Sequence, residues 1–583
     1  MAAYRKLATA RVPQTEPMNE RQVKNNAGGF VFQVDDFARL DRFLIIGSSE
    51  NTYYQTARKL TRENAECVQR CLDADAPRTI ARIVEVSTSG RAPKNDAAIF
   101  ALALAATHSN PSVVTMAYAA MPQVCRIATH LFQFLVNIKA LGKGWGGNGL
   151  KRAIANWYDS KGPDKLAYQV IKYRAREKDE NGITMDHARV LRLSHPTGDG
   201  TGKTNGIQYA KGTPVGKGHT KTSKGAARKA LTERDAIYRW VLGKDVAEYR
   251  LPALIRAHIK AMDRETNQPG LIKLITKYQL PWEAIPTSAT TDPEVWRAMI
   301  PDMGLTALIR NLGGMTQYGA LKPLEQEVQV VVDRLNDAGE LRKARIHPFN
   351  ILQALAVYRN GRSVRGSRSW APIQPICDAL DSAFYKAFHN VVPTGKRTLI
   401  ALDVSGSMES PLNGSPLTVR EGAAAMALVT MATEPMTHVI GFTSGRRAGG
   451  GWGYTSYTGV SPLDISAKMR LDNVVSYMGG LAFGGTDCAL PMLYARKNDL
   501  KVDAIIIYTD NETYAGDVHP HQALKDYRKH SGLDTKFVAV GMTATEYSIG
   551  DPNDAGSLNV VGFDSAAPAV ISDFIRGATP KSE

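Results

Sequence analysis

Long apolar runs are missing from this 583-residue chain. No window of about 18 residues is apolar enough to span a bilayer, so no transmembrane helix is expected. Residues 1–25 are polar and charged, with no apolar core of the kind a secretory leader needs, so no signal peptide is read there. Cysteine is scarce: Cys67, Cys71, Cys125, Cys377 and Cys488 are scattered and odd in number. That excludes a disulfide framework and points to a reducing, cytoplasmic setting. Cys67 and Cys71 lie one helical turn apart, but no second Cys/His pair follows at zinc-finger spacing, and a structural zinc needs four ligands. Acidic residues are absent between Gly200 and Thr232, where Lys203, Lys211, Lys217, Lys221, Lys224, Arg228 and Lys229 all fall.

What is present describes an ordinary globular protein, with 43% hydrophobic and 22% charged residues. The length is too great for one core, so two or more domains are expected. The net charge is +16, unevenly spread. Beyond Gly395 there are 16 Lys and Arg against 20 Asp and Glu, which leaves 56 basic against 36 acidic residues before it. The first two-thirds is therefore strongly cationic and the last third slightly anionic. A polyanionic partner belongs to the first part.

From residue 35 to about 388 the pattern is helical. Segments 95–107 (NDAAIFALALAAT), 124–141 (VCRIATHLFQFLVNIKAL) and 150–158 carry apolar residues at helical spacing. Turn residues separate them, as at Ser109-Asn110-Pro111. Helices joined by short turns, with no convincing strand, suggest stacked pairs of the HEAT kind, although no clean internal repeat is visible. The stretch 197–232, rich in Gly, Lys and Thr, reads as a basic loop, either a phosphate clamp or a solvated insertion. Its Gly202-Lys203-Thr204 is no P-loop, since Thr197 stands where the first glycine belongs and no buried strand leads in. After Gly395 the grammar changes to short apolar strands (398–402, 438–442, 504–508, 536–540) alternating with helices, such as the alanine-rich 418–433. That alternation predicts a doubly wound parallel sheet.

Two acidic motifs stand at the carboxyl ends of these strands: Asp403-Val404-Ser405-Gly406-Ser407 after the first, and Thr509-Asp510-Asn511-Glu512-Thr513 after the third. Gly484-Gly485-Thr486-Asp487 lies between them. Open α/β sheets bind ligands at such ends. A hard divalent cation takes oxygen donors from few carboxylates and completes its shell with water. Asp403, Ser405, Ser407, Thr486 and Asp510 supply that set, and the oxygen-only chemistry suits Mg2+. The pattern DxSxS…T…D resembles the metal-ion-dependent adhesion site of von Willebrand factor A (vWA) domains. Catalysis is not expected. A phosphatase would need a second acid where Ser405 stands, and His519 and His521 have no nucleophile motif beside them. An open metal position would instead capture a carboxylate from a partner or a neighbouring domain.

Several strings resemble the TROVE family of Ro proteins, and their order matches too: FVFQVDD at 30–36 leading into RLDRFLIIGS at 39–48, CRIATHLF at 125–132, LRLSH at 191–195, LTALIRNL at 305–312, RIHPFN at 345–350 and PTGKR at 393–397. The resemblance implies a multidomain α plus α/β chain: an N-terminal tail (1–27), a ring-shaped, HEAT-like TROVE domain (28–390) carrying the loop 197–232, and a Rossmann-like vWA domain (396–583). It implies a monomeric RNA-binding protein without catalysis. Small noncoding Y RNA would bind on the outer surface of the ring, and single-stranded 3′ ends of misfolded RNA in its hole. The setting would be RNA quality control, decay or ribosomal RNA maturation beside an exoribonuclease such as polynucleotide phosphorylase. The RNA-contacting region carried over from the family comprises Arg126, Thr129, His130, Lys172, Arg176 and His195.

Lys172 and Arg176 stand one turn apart, suited to adjacent phosphates or simply to a solvated helix face. Trp145 could stack a base or be buried. The competing reading is a metal-dependent vWA adhesion scaffold for which RNA is incidental.

Overall fold

The computed structural model describes residues 12–33, 35–46, 65–92, 94–173, 177–178, 184–196, 232–363, 367–387, 393–412, 417–444, 459–481, 484–543, 547–562 and 567–577. Arg176 and nearly all of the basic stretch 197–232 fall outside them. In chain order, two short strands, β1 (Gln22–Lys24) and β2 (Phe30–Gln33), precede a long helical region. Within it the described strands are a two-residue pair, β3 (Glu177–Lys178) and β4 (Thr184–Met185). Strands and helices then alternate through β5 (Thr398–Asp403), β6 (Thr437–Phe442), β7 (Val460–Pro462), β8 (Ala504–Thr509), β9 (Lys536–Gly541), β10 (Tyr547–Ser548) and β11 (Ser557–Val561). The chain divides into two compact units: residues 1–74, 86–97 and 331–583 form the first, and 75–85 with 98–330 the second.

The first unit is built on a six-stranded sheet ordered β11-β9-β8-β5-β6-β7. All six residues of both β5 and β8 are buried, as a strand covered on both faces requires. The sheet is mixed rather than wholly parallel, because β7 runs antiparallel to β6. Pro462 pairs there opposite Ile440. Having no N–H, a proline is tolerated at such an edge and would break a central ladder. Helix Val419–Thr433 lies under the sheet and is buried along most of its length. Its run of alanines lets the helix be apolar on every side, and Thr418 with Glu421 closes a capping box at its start.

A second, three-stranded sheet in this unit, ordered β1-β2-β10, joins the two ends of the sequence. Phe32 pairs with Ser548 and Gln33 with Tyr547. Val31 enters the same core cluster as Ile505, Ile507 and Phe537. Helices Pro348–Arg359 and Gln374–Lys386 pack on each other and are tied to the α/β part by Arg359–Asp472 at 3.0 Å and Arg470–Asp378 at 2.6 Å.

The second unit is helical. The stretch 124–141 does not form one helix, because Pro111–Val124 ends at Cys125 and a new helix runs over Ala128–Ala140. Ile127 is extended at the break (ψ 163°), and the Ala128 N–H is caught by Gln169 Oε1 at 3.0 Å, a cap supplied from another helix. A buried polar group lies nearby, with His187 Nδ1 2.8 Å from Tyr158 Oη and Tyr238 Oη donating to Asp159 at 2.8 Å. All five cysteines are buried free thiols.

Candidate functional site

The parallel sheet brings β5 and β8 side by side, so their carboxyl ends meet. Asp403 closes β5 and Asp510 follows β8, and neither is exposed at all. Asp403 Oδ1 accepts from the Ser405 N–H at 2.9 Å, and Oδ2 accepts from Thr509 Oγ1 at 2.7 Å. The hydroxyls of Ser405 and Ser407 stand 2.9 Å apart. Ser407 donates to the Asp510 carboxylate, whose Oδ1 also accepts from the Glu512 N–H at 3.0 Å.

Burial raises the Asp403 carboxyl above its usual range. Burial, and then the charge of Asp403, push Asp510 up to about 7. Two carboxylates held together without water resist ionising together, and a cation between them removes that penalty. Asp510 Oδ2 is buried and has no hydrogen-bond partner. The residues present therefore fit a hard cation: two carboxylates, two hydroxyls, and one carboxylate oxygen still lacking a donor or a metal. Among the described residues no cluster of three or more His, Cys, Asp or Glu side chains is placed to hold a metal.

Thr486 is buried on a loop bound to this edge by its backbone. Its carbonyl accepts from the N–H groups of Tyr514 at 3.1 Å and Ala515 at 3.0 Å, and the Gly485 carbonyl accepts from Thr443 Oγ1 at 2.9 Å. A β-carbon at position 485 would come 2.6 Å from the Tyr514 hydroxyl, so any larger residue there would require the partly exposed Tyr514 ring to shift. At Gly406 a β-carbon would meet nothing within 4 Å, so close packing does not explain that glycine.

Sequence reasoning missed the segment that holds these loops. Gln14, fully buried, donates from Nε2 to Asp487 Oδ1 and to the Val518 carbonyl, each at 2.8 Å, and accepts from Thr513 Oγ1 at 2.6 Å. Asn25 reaches the Thr513 carbonyl at 2.8 Å, and Gly29 packs so tightly on that carbonyl that no side chain fits. His519, near the metal motif in sequence, is engaged by this segment too: Nε2 lies 2.8 Å from the Glu16 carbonyl and Nδ1 lies 3.3 Å from Gln22 Nε2. No local signal marks Gln14, because its partners lie some five hundred residues away.

In the helical unit, Thr129 and His130 occupy the first turn of helix Ala128–Ala140, beside Arg126. Burial, and then Arg126, lower His130 to about 4, so it is neutral at physiological pH. His195 caps helix His187–Ser194 in the left-handed region (φ 46°). Its pKa is lowered by partial burial and then by the charges of Lys151 and Lys244, so both lysines lie within electrostatic reach of His195. Lys172 is half-buried and stands apart from a plain solvated face, since Nζ donates to Tyr168 Oη at 2.8 Å. Burial works against its charge, yet the bond to Tyr168 and the nearby Tyr173 and Glu283 leave its pKa raised. Trp145 is neither fully buried nor free. Its indole N–H donates to the Leu135 carbonyl at 2.8 Å, and its ring has Lys139 Nζ at 5.0 Å and the Arg189 guanidinium at 5.6 Å.

These features coincide with known families. A family model for the TROVE domain matches residues 23–357, and one for the Ro60 vWA domain matches 397–575. The RNA-binding protein RO60 of Deinococcus radiodurans is 39% identical over 571 residues, covering 97% of each chain. That of Caenorhabditis elegans is 36% identical over 623 residues, covering 97% of this chain and 92% of its own. The crystal structure of the Deinococcus radiodurans RO (RSR) protein superposes with a TM-score of 0.66 at 38% identity, covering 94% of this chain and all of that one. Two family models, one over the helical part and one over the α/β part, and relatives aligned nearly end to end thus agree, and the chain belongs to the TROVE family of Ro proteins.

Proposed function

We propose that this protein binds RNA without catalysis. Its ligands are small noncoding Y RNA and the single-stranded 3′ ends of misfolded RNA, and it acts in the cytoplasm in RNA quality control, decay or ribosomal RNA maturation beside an exoribonuclease such as polynucleotide phosphorylase. The observation that carries this reading is the pair of lysines, Lys151 and Lys244, whose charges both act on the partly buried His195 in the helical unit. Phosphates satisfy such a pair without sequence-specific contacts. The basic stretch 203–229 follows His195 in sequence. Relatives named as RNA-binding proteins support it.

The test is recovery of the protein from its native host with sequencing of bound RNA, together with the double variant Lys151→Ala/Lys244→Ala. Wild type should retain small structured RNA and the variant should lose most of it. A nucleic-acid-free protein that also ignores single-stranded 3′ tails at low salt would sink the proposal. Labelled RNA incubated with the protein and Mg2+ should stay full-length.

A metal-dependent adhesion role has one observation in its favour, the unpartnered Oδ2 of Asp510. In this reading Asp403, Ser405, Ser407, Thr486 and Asp510 hold Mg2+, which would offer its remaining position to a partner carboxylate. Asp403→Ala would then abolish partner capture and leave RNA binding untouched.

A further inference from the structure

The segment from Gln14 to Gln33 is a strap that touches both loops carrying Thr486 and Asp510. Strap and loops belong to the same compact unit. On the first loop Thr486 is followed by Asp487, whose Oδ1 accepts from Gln14 Nε2. On the second loop Gln14 meets three residues. It accepts from Thr513 Oγ1, donates from its backbone N–H to the Gly516 carbonyl at 2.9 Å, and donates from Nε2 to the Val518 carbonyl. Thr513 Oγ1 also accepts from the Cys488 N–H at 3.1 Å, so one hydroxyl joins the strap to both loops.

A further clasp lies two residues beyond Asp510. The Glu512 N–H donates to Asp510 Oδ1 at 3.0 Å. The Glu512 carboxylate is held by the strap, since Oε1 accepts from Asn26 Nδ2 and Oε2 from the Ala27 N–H, each at 3.0 Å. Asn26 is exposed, so this contact can be altered without opening the core.

Asp403 ends strand β5 and is fixed by the sheet, whereas Thr486 and Asp510 lie on loops outside the strands. Groups that orient a metal's ligands govern its affinity, and losing one commonly costs about ten- to a hundredfold.

We propose that Gln14 and Asn26 are positioning residues for the divalent-cation site: docking of the strap sets the affinity for the cation, and the bound cation holds the strap down. The coupling runs equally in both directions, because each event favours the same arrangement of the two loops. The inference rests on the cation reading of Asp403, Ser405, Ser407, Thr486 and Asp510 given above.

The experiment uses the full chain, stripped with chelator, and Mg2+ alone as the probe. Calorimetry reads the affinity. Trypsin reads the strap, whose bonds after Arg21 and Lys24 become cleavable when β1 and β2 open. Gln14→Ala should bind Mg2+ at least about tenfold more weakly than wild type, and Asn26→Ala roughly three- to tenfold more weakly. Saturating Mg2+ should slow cleavage at Arg21 and Lys24 at least about fivefold in wild type and leave it unchanged in Asp403→Ala. Should Gln14→Ala fold poorly, Asn26→Ala and the wild-type cleavage rates decide the matter.

Mg2+ affinity kept within about twofold of wild type in the folded variants, or cleavage indifferent to Mg2+, overturns the inference and leaves the cation site standing. A wild type that takes up no Mg2+ overturns the site itself, and the coupling with it.

Discussion

At the residue scale, the two buried carboxylates at the end of the central strands bear on the proposed cation site of the α/β module. Asp403 and Asp510 are buried together, and Asp510 has an oxygen with no donor. A cation that satisfies it binds the folded form only, so it stabilises by mass action, by about 2.7 kcal/mol at a hundredfold excess over Kd. Adding Mg2+ should raise the melting temperature of wild type by several degrees and that of Asp403→Ala not at all, with chelator reversing the gain. Equal shifts in both proteins would move the ion elsewhere.

A second residue-scale expectation concerns acid. Burial lowers His187 to about 4, against about 6.5 in an unfolded chain. Between those values the unfolded chain holds a proton that the native one lacks, so stability rises with pH. This contribution is complete above about pH 6.5, is lost as pH falls toward 4, and has a ceiling of about 3 kcal/mol. Urea midpoints at pH 7 and pH 4.5 should differ less in His187→Gln than in wild type. His130 and His521, also lowered to about 4, keep the remaining dependence in place.

At the scale of elements, Gln14 shows how a short segment governs a module far along the chain. Replacing it with alanine removes hydrogen bonds to Asp487, Val518 and Thr513 and leaves their groups buried. The expected cost is about 2–4 kcal/mol, since the Val518 carbonyl and the Thr513 hydroxyl each lose a buried partner at about 1–3 kcal/mol, while Asp487 Oδ1 keeps the Ala489 N–H. Hydrogen exchange should speed up first in residues 510–518. Exchange unchanged there would mean that the loop holds itself.

Elements differ in how far the sequence disclosed them. The strands at 398, 437, 504 and 536 are apolar runs between turns, and their burial on both faces follows from composition alone. By contrast β1, β2 and β10 are two to four residues long: β1 and β2 pair locally, but β10 reaches β2 across more than five hundred residues, so no local pattern could show the sheet they form. The sequence placed Asp403 and Asp510 at strand ends, and the pairing of β5 with β8 brings those two ends together. The helical contacts were less legible: periodicity places Lys172 on a face, but only packing shows that Tyr168 holds it half-buried there.

At the scale of the whole molecule, the charge asymmetry sets the salt response. Phosphate contacts release counterions, and each contact to a single strand adds about 0.7 to the slope of log affinity against log salt. Deleting 203–229 should flatten that slope by several such steps if the segment meets phosphates. An unchanged slope would make it a solvated insertion.

The joining of β2 to β10, and of Gln14 to the loops beyond Asp510, has a consequence for synthesis. A ribosome releases the first partner of each contact hundreds of residues before the second. The segment from Gln14 to Gln33 must therefore wait without its distant partners until residues 487–548 have been made. Nascent chains arrested before residue 547 should leave it open to protease, and release of the remainder should protect it. Final assembly of the α/β module is thereby timed by the synthesis of residues 487–548 rather than by its own local folding.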